Sequence, residues 1–261
     1  MSAPLLVDRT DGVATVTMNR PDSLNSLDVA LKVALRDTFL ELAADRACRA
    51  VVLAGAGRAF CVGQDLREHL AALETKAPLD TVSEHYNPMV AALAALPVPV
   101  VAAVRGAAAG AGAGLAFLAD FRIGGPSTSY LMAFARVGLA ADTAVSWTLP
   151  RLIGHAKATE LLLLAEPVRS DEAHRLGLLT RLLDSDDEVL PAAQELAARL
   201  AAGPTVAYAQ IKRELFEGAT GTLAEALAVE LAAQTAAGGT ADHREATNAF
   251  VAKRPPLFAG N

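Results

Sequence analysis

Apolar positions are grouped in two ways along the chain. Through the first two thirds, short apolar runs bounded by glycine, proline or polar turns alternate with stretches of helical period. In the last third only the helical period remains. Residues 5–7 and 13–18 predict two strands of a hairpin, with Asp11-Gly12 at the turn. Asn19-Arg20-Pro21 breaks the second strand. Ser26 is placed to cap a helix with Asp28 in its first turn, and Leu31, Leu35, Phe39 and Leu42 recur on one face of that helix. Residues 51–54 predict a strand and 84–96 a helix. Residues 98–104 predict a strand buried on both faces, 115–118 a helical segment, and 130–132 a short strand. Residues 67–83 are polar and mixed, without a clear period, and predict a mobile loop or a weak helix. Beyond Ala144 the pattern is helical. Gly154 separates 146–153 from 157–165, Ser170 caps 171–176, and Gly177 stops that helix. An acidic turn at 184–188 leads into 189–201, and Gly203-Pro204 marks a boundary before three more helices.

This alternation predicts an α/β fold made of βαβ units over residues 1–202, followed by a helical region over 203–261. The chain is organised around residues 97–120. A buried strand there is followed by Gly106, Gly110, Gly112 and Gly114, separated mainly by alanines, and then by a helix. Free backbone N–H groups at the positive end of a helix, with no side chain to block approach, bind phosphate or an oxyanion. The dinucleotide fingerprint fails, because its third glycine is Leu115 and Asp120 comes too soon to meet a ribose. Close strand–helix packing also uses small residues, so this stretch alone leaves both readings open. A second stretch of the same kind, RAFCVGQDL at 58–66, follows the strand at 51–54 and turns at Gly63. Two such turns, each pointing one N–H at the same atom, make an oxyanion hole.

Composition narrows the picture. The chain has 261 residues, 52% of them hydrophobic, with a formal net charge of −6. The negative balance argues against nucleic acid and against an anionic membrane surface as partners. No apolar run is long enough to span a bilayer. The start, MSAPLLVDRTDG, has no basic segment or long apolar core of a secretory signal. Cys48 and Cys61 form no framework, so a reducing, cytoplasmic setting is expected. The histidines, His69, His85, His155, His174 and His243, show no metal-ligand spacing, and there is no G-x-S-x-G elbow.

The segments AFCVGQDL, PVPVVAAVRGAAAGAGAGLAFLAD and VGLAADTAVSWTLPRLIG together resemble the crotonase (enoyl-CoA hydratase/isomerase) superfamily, from Asn19 to Phe258. FCVGQDL, HYNPMVAALAALPVPVVAAVRGAAAGAGA and TADHREATNAFVAKRPPLF are most similar to its branch of epoxyphenylacetyl-CoA isomerases. The resemblance implies a spiral of ββα turns with a helical tail that takes part in trimerisation, as a homotrimer or a dimer of trimers. It implies an acyl-CoA thioester as substrate, with coenzyme A part of that substrate and no separate cofactor. It makes the N–H groups of Gln64 and Ala111 the two oxyanion donors, Ala111 being the middle of Gly110-Ala111-Gly112. Backbone around Phe60, Cys61, Val62 and Leu24 would face the adenine. Asp65, Leu66 and Gly110 would be among the substrate-binding residues. Arg67 would meet a CoA phosphate, with Lys253 and Phe250 reaching it from the tail. Tyr86 and Phe134 would line the acyl pocket.

The chain departs from the hydratase pattern at its two water-holding glutamates. Gly114 stands at one matching position and Phe134 at the other. The acid that is present is Asp142, at the position where the isomerase branches of the superfamily carry a proton-shuttling aspartate. Its apolar neighbours predict a raised pKa, suited to a base that returns its proton. An aspartate there could equally cap the following helix. The dehalogenase branch uses a nucleophilic aspartate with a histidine and a tryptophan, where this chain has Asn87 and Phe134. Isomerisation, hydration and non-catalytic binding of an acyl-CoA are thus the readings to separate.

Overall fold

The computed structural model describes residues 3–74, 79–218 and 220–261. Its elements run β1 (Leu5–Thr10), β2 (Val13–Met18), α1 (Val29–Ala44), β3 (Ala50–Gly55), α2 (Leu66–Leu73), α3 (Asn87–Ala94) and β4 (Val100–Val104). There follow β5 (Ala107–Ala109), α4 (Ala111–Leu118), β6 (Phe121–Gly124), β7 (Ser129–Leu131), α5 (Val145–Ile153) and α6 (His155–Leu164). The chain ends with β8 (Val168–Arg169), α7 (Ser170–Leu176), β9 (Arg181–Leu182), α8 (Val189–Ala201), α9 (Thr205–Gly218), α10 (Leu223–Gly238) and α11 (Ala241–Val251).

The main sheet has the order β1-β2-β3-β4-β6-β9. The β1–β2 hairpin is antiparallel, and Asp11 and Gly12 both take positive φ (49° and 80°), as a primed two-residue turn requires. From β2 onward every pairing in this sheet is parallel. Parallel strands are covered on both faces, which is why β3 and β4 read as continuous apolar runs. Val51, Leu53, Val100, Ala102 and Val104 face a core shared with Leu31, Leu35, Phe39 and Leu42 of α1. The alternate residues Ala50, Val52, Ala54, Val101 and Ala103 face a second core, closed by Val189, Ala192, Ala193 and Ala197 of α8. The small second sheet, β5-β7-β8, lies beside the glycine-rich segment.

Several sequence expectations are corrected in detail. Asp28, not Ser26, caps α1, accepting the Leu31 N–H at 2.8 Å on Oδ1. The Ser26 hydroxyl instead donates to Asp65 Oδ2. Ser170 opens α7 without capping it and donates to the Pro126 carbonyl. The fourth strand begins at Val100 rather than at residue 98, because Pro99 has no N–H for the ladder and contributes only its carbonyl, to Val51 N. Within 67–83, α2 is a regular helix capped by Asp65, and a π-turn occupies Val82–Tyr86; residues 75–78 of that expectation lie outside the described residues. β5, β6, β8 and β9 carried no readable period, being four residues long or fewer. No helix among the described residues is long and apolar enough to cross a membrane.

Candidate active site

The two glycine turns meet. A side chain on Gly63 (φ 87°) would bring its Cβ to 2.8 Å from the Ala109 carbonyl and 3.3 Å from the Ala111 nitrogen. A Cβ on Gly112 would lie 2.0 Å from the Cys61 carbonyl. These contacts require glycine, because the segment following β3 and the start of α4 approach backbone to backbone. Ala109 N–H donates to Cys61 O (2.9 Å) and Cys61 N–H to Ala107 O (3.1 Å), stitching the turns together. On either side of Gln64 the backbone is engaged: Leu27 N–H donates to Gly63 O, and Asp65 N–H to Leu27 O. The N–H groups of Gln64 and of Ala111, the first residue of α4, have no acceptor among the described residues. Both residues line one cleft of about 1640 Å³. Two unused amides at the junction of two turns, one at a helix N-terminus, form the arrangement that holds a developing oxyanion.

Asp142 lies on the same wall. Its Oδ1 accepts the Thr143 hydroxyl at 2.8 Å. No cationic side chain is within ion-pairing distance among the described residues. Burial pushes its carboxyl above the usual carboxylate range, partly offset by the Thr143 hydroxyl and by the more distant Lys32. Its side chain does not cap α5; the cap position is Ala144, and only the Asp142 main-chain carbonyl takes part, accepting Val145 N–H. Thr143 and Ala144 both hold positive φ (51° and 58°). This conformation is costly for a β-branched residue and persists only where surrounding packing imposes it. The packing is visible: a Cβ on Gly114 would lie 2.6 Å from Thr143 O. A glutamate therefore has no room at 114, and Phe134 fills the other hydratase position as a buried wall residue.

Behind Gln64 lies a polar cluster that pattern alone did not single out. Lys32 projects from α1 with a fully buried side chain. Its Nζ donates to Gln64 Oε1 (3.2 Å), Glu68 Oε1 (3.2 Å) and Thr81 Oγ1 (2.7 Å), and lies 4.7 Å from the Tyr86 ring centroid. Burial lowers the Lys32 pKa, and Glu68 opposes that. For Glu68, burial is outweighed by the Val29 N–H and Lys32, which hold it below the usual range. The Tyr86 hydroxyl donates to Gln64 Oε1 at 2.7 Å, and burial raises its pKa. Lys32 and Glu68 carried no sequence signal: one sits a single position off the Leu31–Leu35 stripe, and the other reads as an ordinary first-turn acid.

The remaining expected residues divide. Val62, Leu66, Arg67, Gly110 and Phe134 line the cleft with the others. Asp65 does so too, but its carboxylate is committed to protein. It accepts Arg20 Nη2 (2.9 Å), Ser26 Oγ and the Arg67 and Glu68 N–H groups, which outweigh burial and keep it ionised. The structure does not bring Leu24, Phe60 or Cys61 into the lining. Leu24 O accepts Val62 N–H, Cys61 O accepts Ala109 N–H, and the Phe60 side chain is wholly buried. Phe250 and Lys253 stand exposed on and after α11, away from this lining. Among the described residues, no group of three or more His, Cys, Asp or Glu is arranged to hold a metal.

Comparison with known proteins agrees with this geometry. The family described as enoyl-CoA hydratase/isomerase matches residues 8–261. The 1,2-epoxyphenylacetyl-CoA isomerase of Escherichia coli K12 is 41% identical over 252 residues, covering 95% of each chain. A 4-chlorobenzoyl coenzyme A dehalogenase of an Arthrobacter species is 32% identical over 219 residues, covering 83% of this chain and 79% of its own. Among solved structures, an enoyl-CoA hydratase from Bacillus anthracis superposes with a TM-score of 0.93 at 28% identity, over 99% of this chain and 100% of that one. A family match over nearly the whole length, joined to two unused amides at adjoining glycine turns, has one reading: the chain belongs to the enoyl-CoA hydratase/isomerase (crotonase) family.

Proposed function

We propose that the protein is an acyl-CoA isomerase in which Asp142 carries a proton between two carbons of the acyl chain. The observation that supports this is the contrast among carboxylates lining the cleft. Asp65 and Glu68 are held ionised by basic and amide donors, whereas Asp142 is raised by burial and lacks an ion pair. A raised pKa makes a carboxylate a stronger base for taking a proton that it later returns. With a 3-enoyl-CoA, the Asp142 carboxylate would take a proton from C2. The electron pair would move onto the thioester oxygen, held by the Gln64 and Ala111 N–H groups. The enolate would then collapse with delivery of the same proton to C4, leaving the 2-enoyl isomer. An epoxide with one carbon at C3 would open by the same proton abstraction from C2 and the same anion site: the C3–O bond would break as the electron pair returns from the enolate, and the freed oxygen would take the proton back from Asp142. One oxyanion donor is typically worth about 10²–10³ in rate.

The test compares isomerisation of a 3-enoyl-CoA with hydration of a 2-enoyl-CoA, for the wild type and Asp142→Asn. Isomerisation that falls by about 10²-fold or more in Asp142→Asn supports the reading, that being the usual contribution of one positioned acid–base group. Hydration that is the faster reaction, and that survives Asp142→Asn, makes the protein a hydratase with another water-holding group.

Self-association belongs to the same proposal. α9 and α10 expose Ile211, Leu215, Phe216, Leu223, Leu227 and Leu231, and exposed apolar residues gathered on neighbouring helices mark interaction surfaces. We assign this face to further copies of the chain, as a trimer or a dimer of trimers. Light scattering of the wild type and of Leu215→Glu/Leu231→Glu decides it: a monomeric wild type removes the assignment. Phe250 and Lys253, remote from the cleft of their own chain, would then contact CoA only from a neighbouring copy.

A further inference from the structure

The side chain of Gln64 is saturated. A primary amide has two acceptor sites and two N–H donors. Here the oxygen accepts Lys32 Nζ (3.2 Å) and Tyr86 OH (2.7 Å), and the nitrogen donates to Glu68 Oε1 (3.1 Å) and Asp65 O (3.2 Å). The orientation is unambiguous, because a reversed amide would turn its N–H groups toward an ammonium. Lys32 is saturated as well, its three donors meeting Gln64, Glu68 and Thr81. Two elements far apart in sequence, α1 and the π-turn at Val82–Tyr86, thus converge on one oxygen atom. Single π-turns of this kind recur at functional sites.

This arrangement is costly. Burying an ammonium completely sacrifices hydration that a methionine of similar length would not need to replace. What the charge supplies is a charge-assisted hydrogen bond of 3.2 Å to a cleft-lining residue whose own main-chain N–H has no acceptor among the described residues. Preorganised donors lower a barrier because they need not reorient as charge develops. We propose that Lys32 is a positioning residue. Through the Gln64 side chain it fixes the first of the two amides that polarise the thioester, with Tyr86 as its partner in the clamp; this rests on the acyl-CoA reading above.

The experiment uses Lys32→Met and Tyr86→Phe in the full-length protein, with two readouts. The first is kcat and KM for isomerisation of a 3-enoyl-CoA. The second is the ultraviolet absorbance of the enolate of bound acetoacetyl-CoA, beside the affinity for butyryl-CoA, which has no acidic proton between two carbonyls. Lys32→Met lowers kcat by about tenfold or more, a fraction of a lost oxyanion donor, with KM within about threefold. It also diminishes the enolate absorbance while leaving butyryl-CoA affinity unchanged. Tyr86→Phe, which removes one hydroxyl and little volume, moves both readouts in the same direction by a smaller amount. If Lys32→Met does not fold, Tyr86→Phe decides alone. Unchanged kcat and unchanged enolate absorbance in a folded variant overturn the proposal. A merely structural lysine would lower the melting temperature without changing the enolate fraction of the bound ligand. The enolate readout does not need Asp142 as a base in turnover. Loss of it in Lys32→Met alongside full isomerase activity in Asp142→Asn would therefore overturn the mechanism and leave the positioning role standing.

Discussion

Gly114 and Thr143 occupy each other's space: a Cβ on Gly114 would lie 2.6 Å from the Thr143 carbonyl oxygen and 2.9 Å from Thr143 Cβ. The position that would carry a water-holding glutamate in a hydratase is thus closed by the turn that presents Asp142. A side chain at 114 and the present course of the Thr143–Ala144 turn exclude each other sterically.

Gly114→Glu therefore does not create a hydratase. The obstruction is backbone, so the Thr143–Ala144 turn must shift and carry Asp142 with it. Overpacking of this kind costs about 1–3 kcal/mol. A lowered melting temperature, loss of isomerisation and no gain in hydration of a 2-enoyl-CoA are the expected results. Hydration gained at an unchanged melting temperature would contradict the account.

Asp142 also makes a stability prediction of definite sign. Its folded pKa is raised by burial above the unfolded value of about 3.9. The protonated form is the one the fold favours, so its contribution is fully present below the unfolded pKa and is lost as pH rises through the folded one. Asp142→Asn removes that loss. The variant should melt higher than wild type at neutral pH, with the gap closing below pH about 4. A variant less stable than wild type at neutral pH would show that the carboxylate has a favourable ionic partner.

The same raised pKa shapes activity. The base form must be ionised, so kcat/KM should rise with pH through an apparent pKa above the ordinary carboxylate range. Measurement with a slow substrate keeps chemistry rate-limiting. A profile flat down to the ordinary carboxylate range would place the proton elsewhere.

Neither thiol should take part. Burial pushes Cys61 up to about 12 and Cys48 up to about 11. Only thiolates react rapidly with disulfide reagents. Native protein should resist such a reagent with activity intact, and both thiols should titrate in denaturant. Rapid loss of activity on thiol modification of the native protein would show that the glycine turn around Cys61 opens.

Lys212 joins the helical region to the organising strand. From α9 its Nζ donates to Asp120 Oδ2 and to Val98 O, each at 2.8 Å, while Asp120 Oδ2 also accepts Val100 N–H. Lys212→Met should destabilise by about 1 kcal/mol, the scale of a partly exposed charged hydrogen bond. Faster amide exchange should appear in α9. Unchanged exchange there would mean that α9 is held by its neighbouring helices alone.

Much of this was legible in residue order. The stripe Leu31, Leu35, Phe39 and Leu42, the runs of β3 and β4, and the punctuation at Asp11-Gly12, Gly154 and Gly177 are local consequences of period and turn chemistry. Gly63, Gly110 and Gly112 were readable as a backbone-lined anion site or as close packing; the structure shows close backbone approach at Gly63 and Gly112 and a positive φ at Gly110. What order could not express is what meets across the fold. Lys32 and Gln64 are 32 positions apart, and Lys32 reads as an ordinary helix residue until α1 packs against the cleft. Asp65 reads as a ligand group until Arg20 and Ser26 arrive to claim its carboxylate. Asp142 could be read as a helix cap until the Thr143–Ala144 turn, wedged against Gly114, left its side chain half-buried and uncapping. Local sequence determined the hairpin, the runs of β3 and β4, the α1 stripe and the glycine turns, because those follow from nearest-neighbour sterics and periodic burial. Tertiary structure alone decided which charges are paired and which carboxyl is left without an ion pair, because pairing and desolvation depend on distance through space.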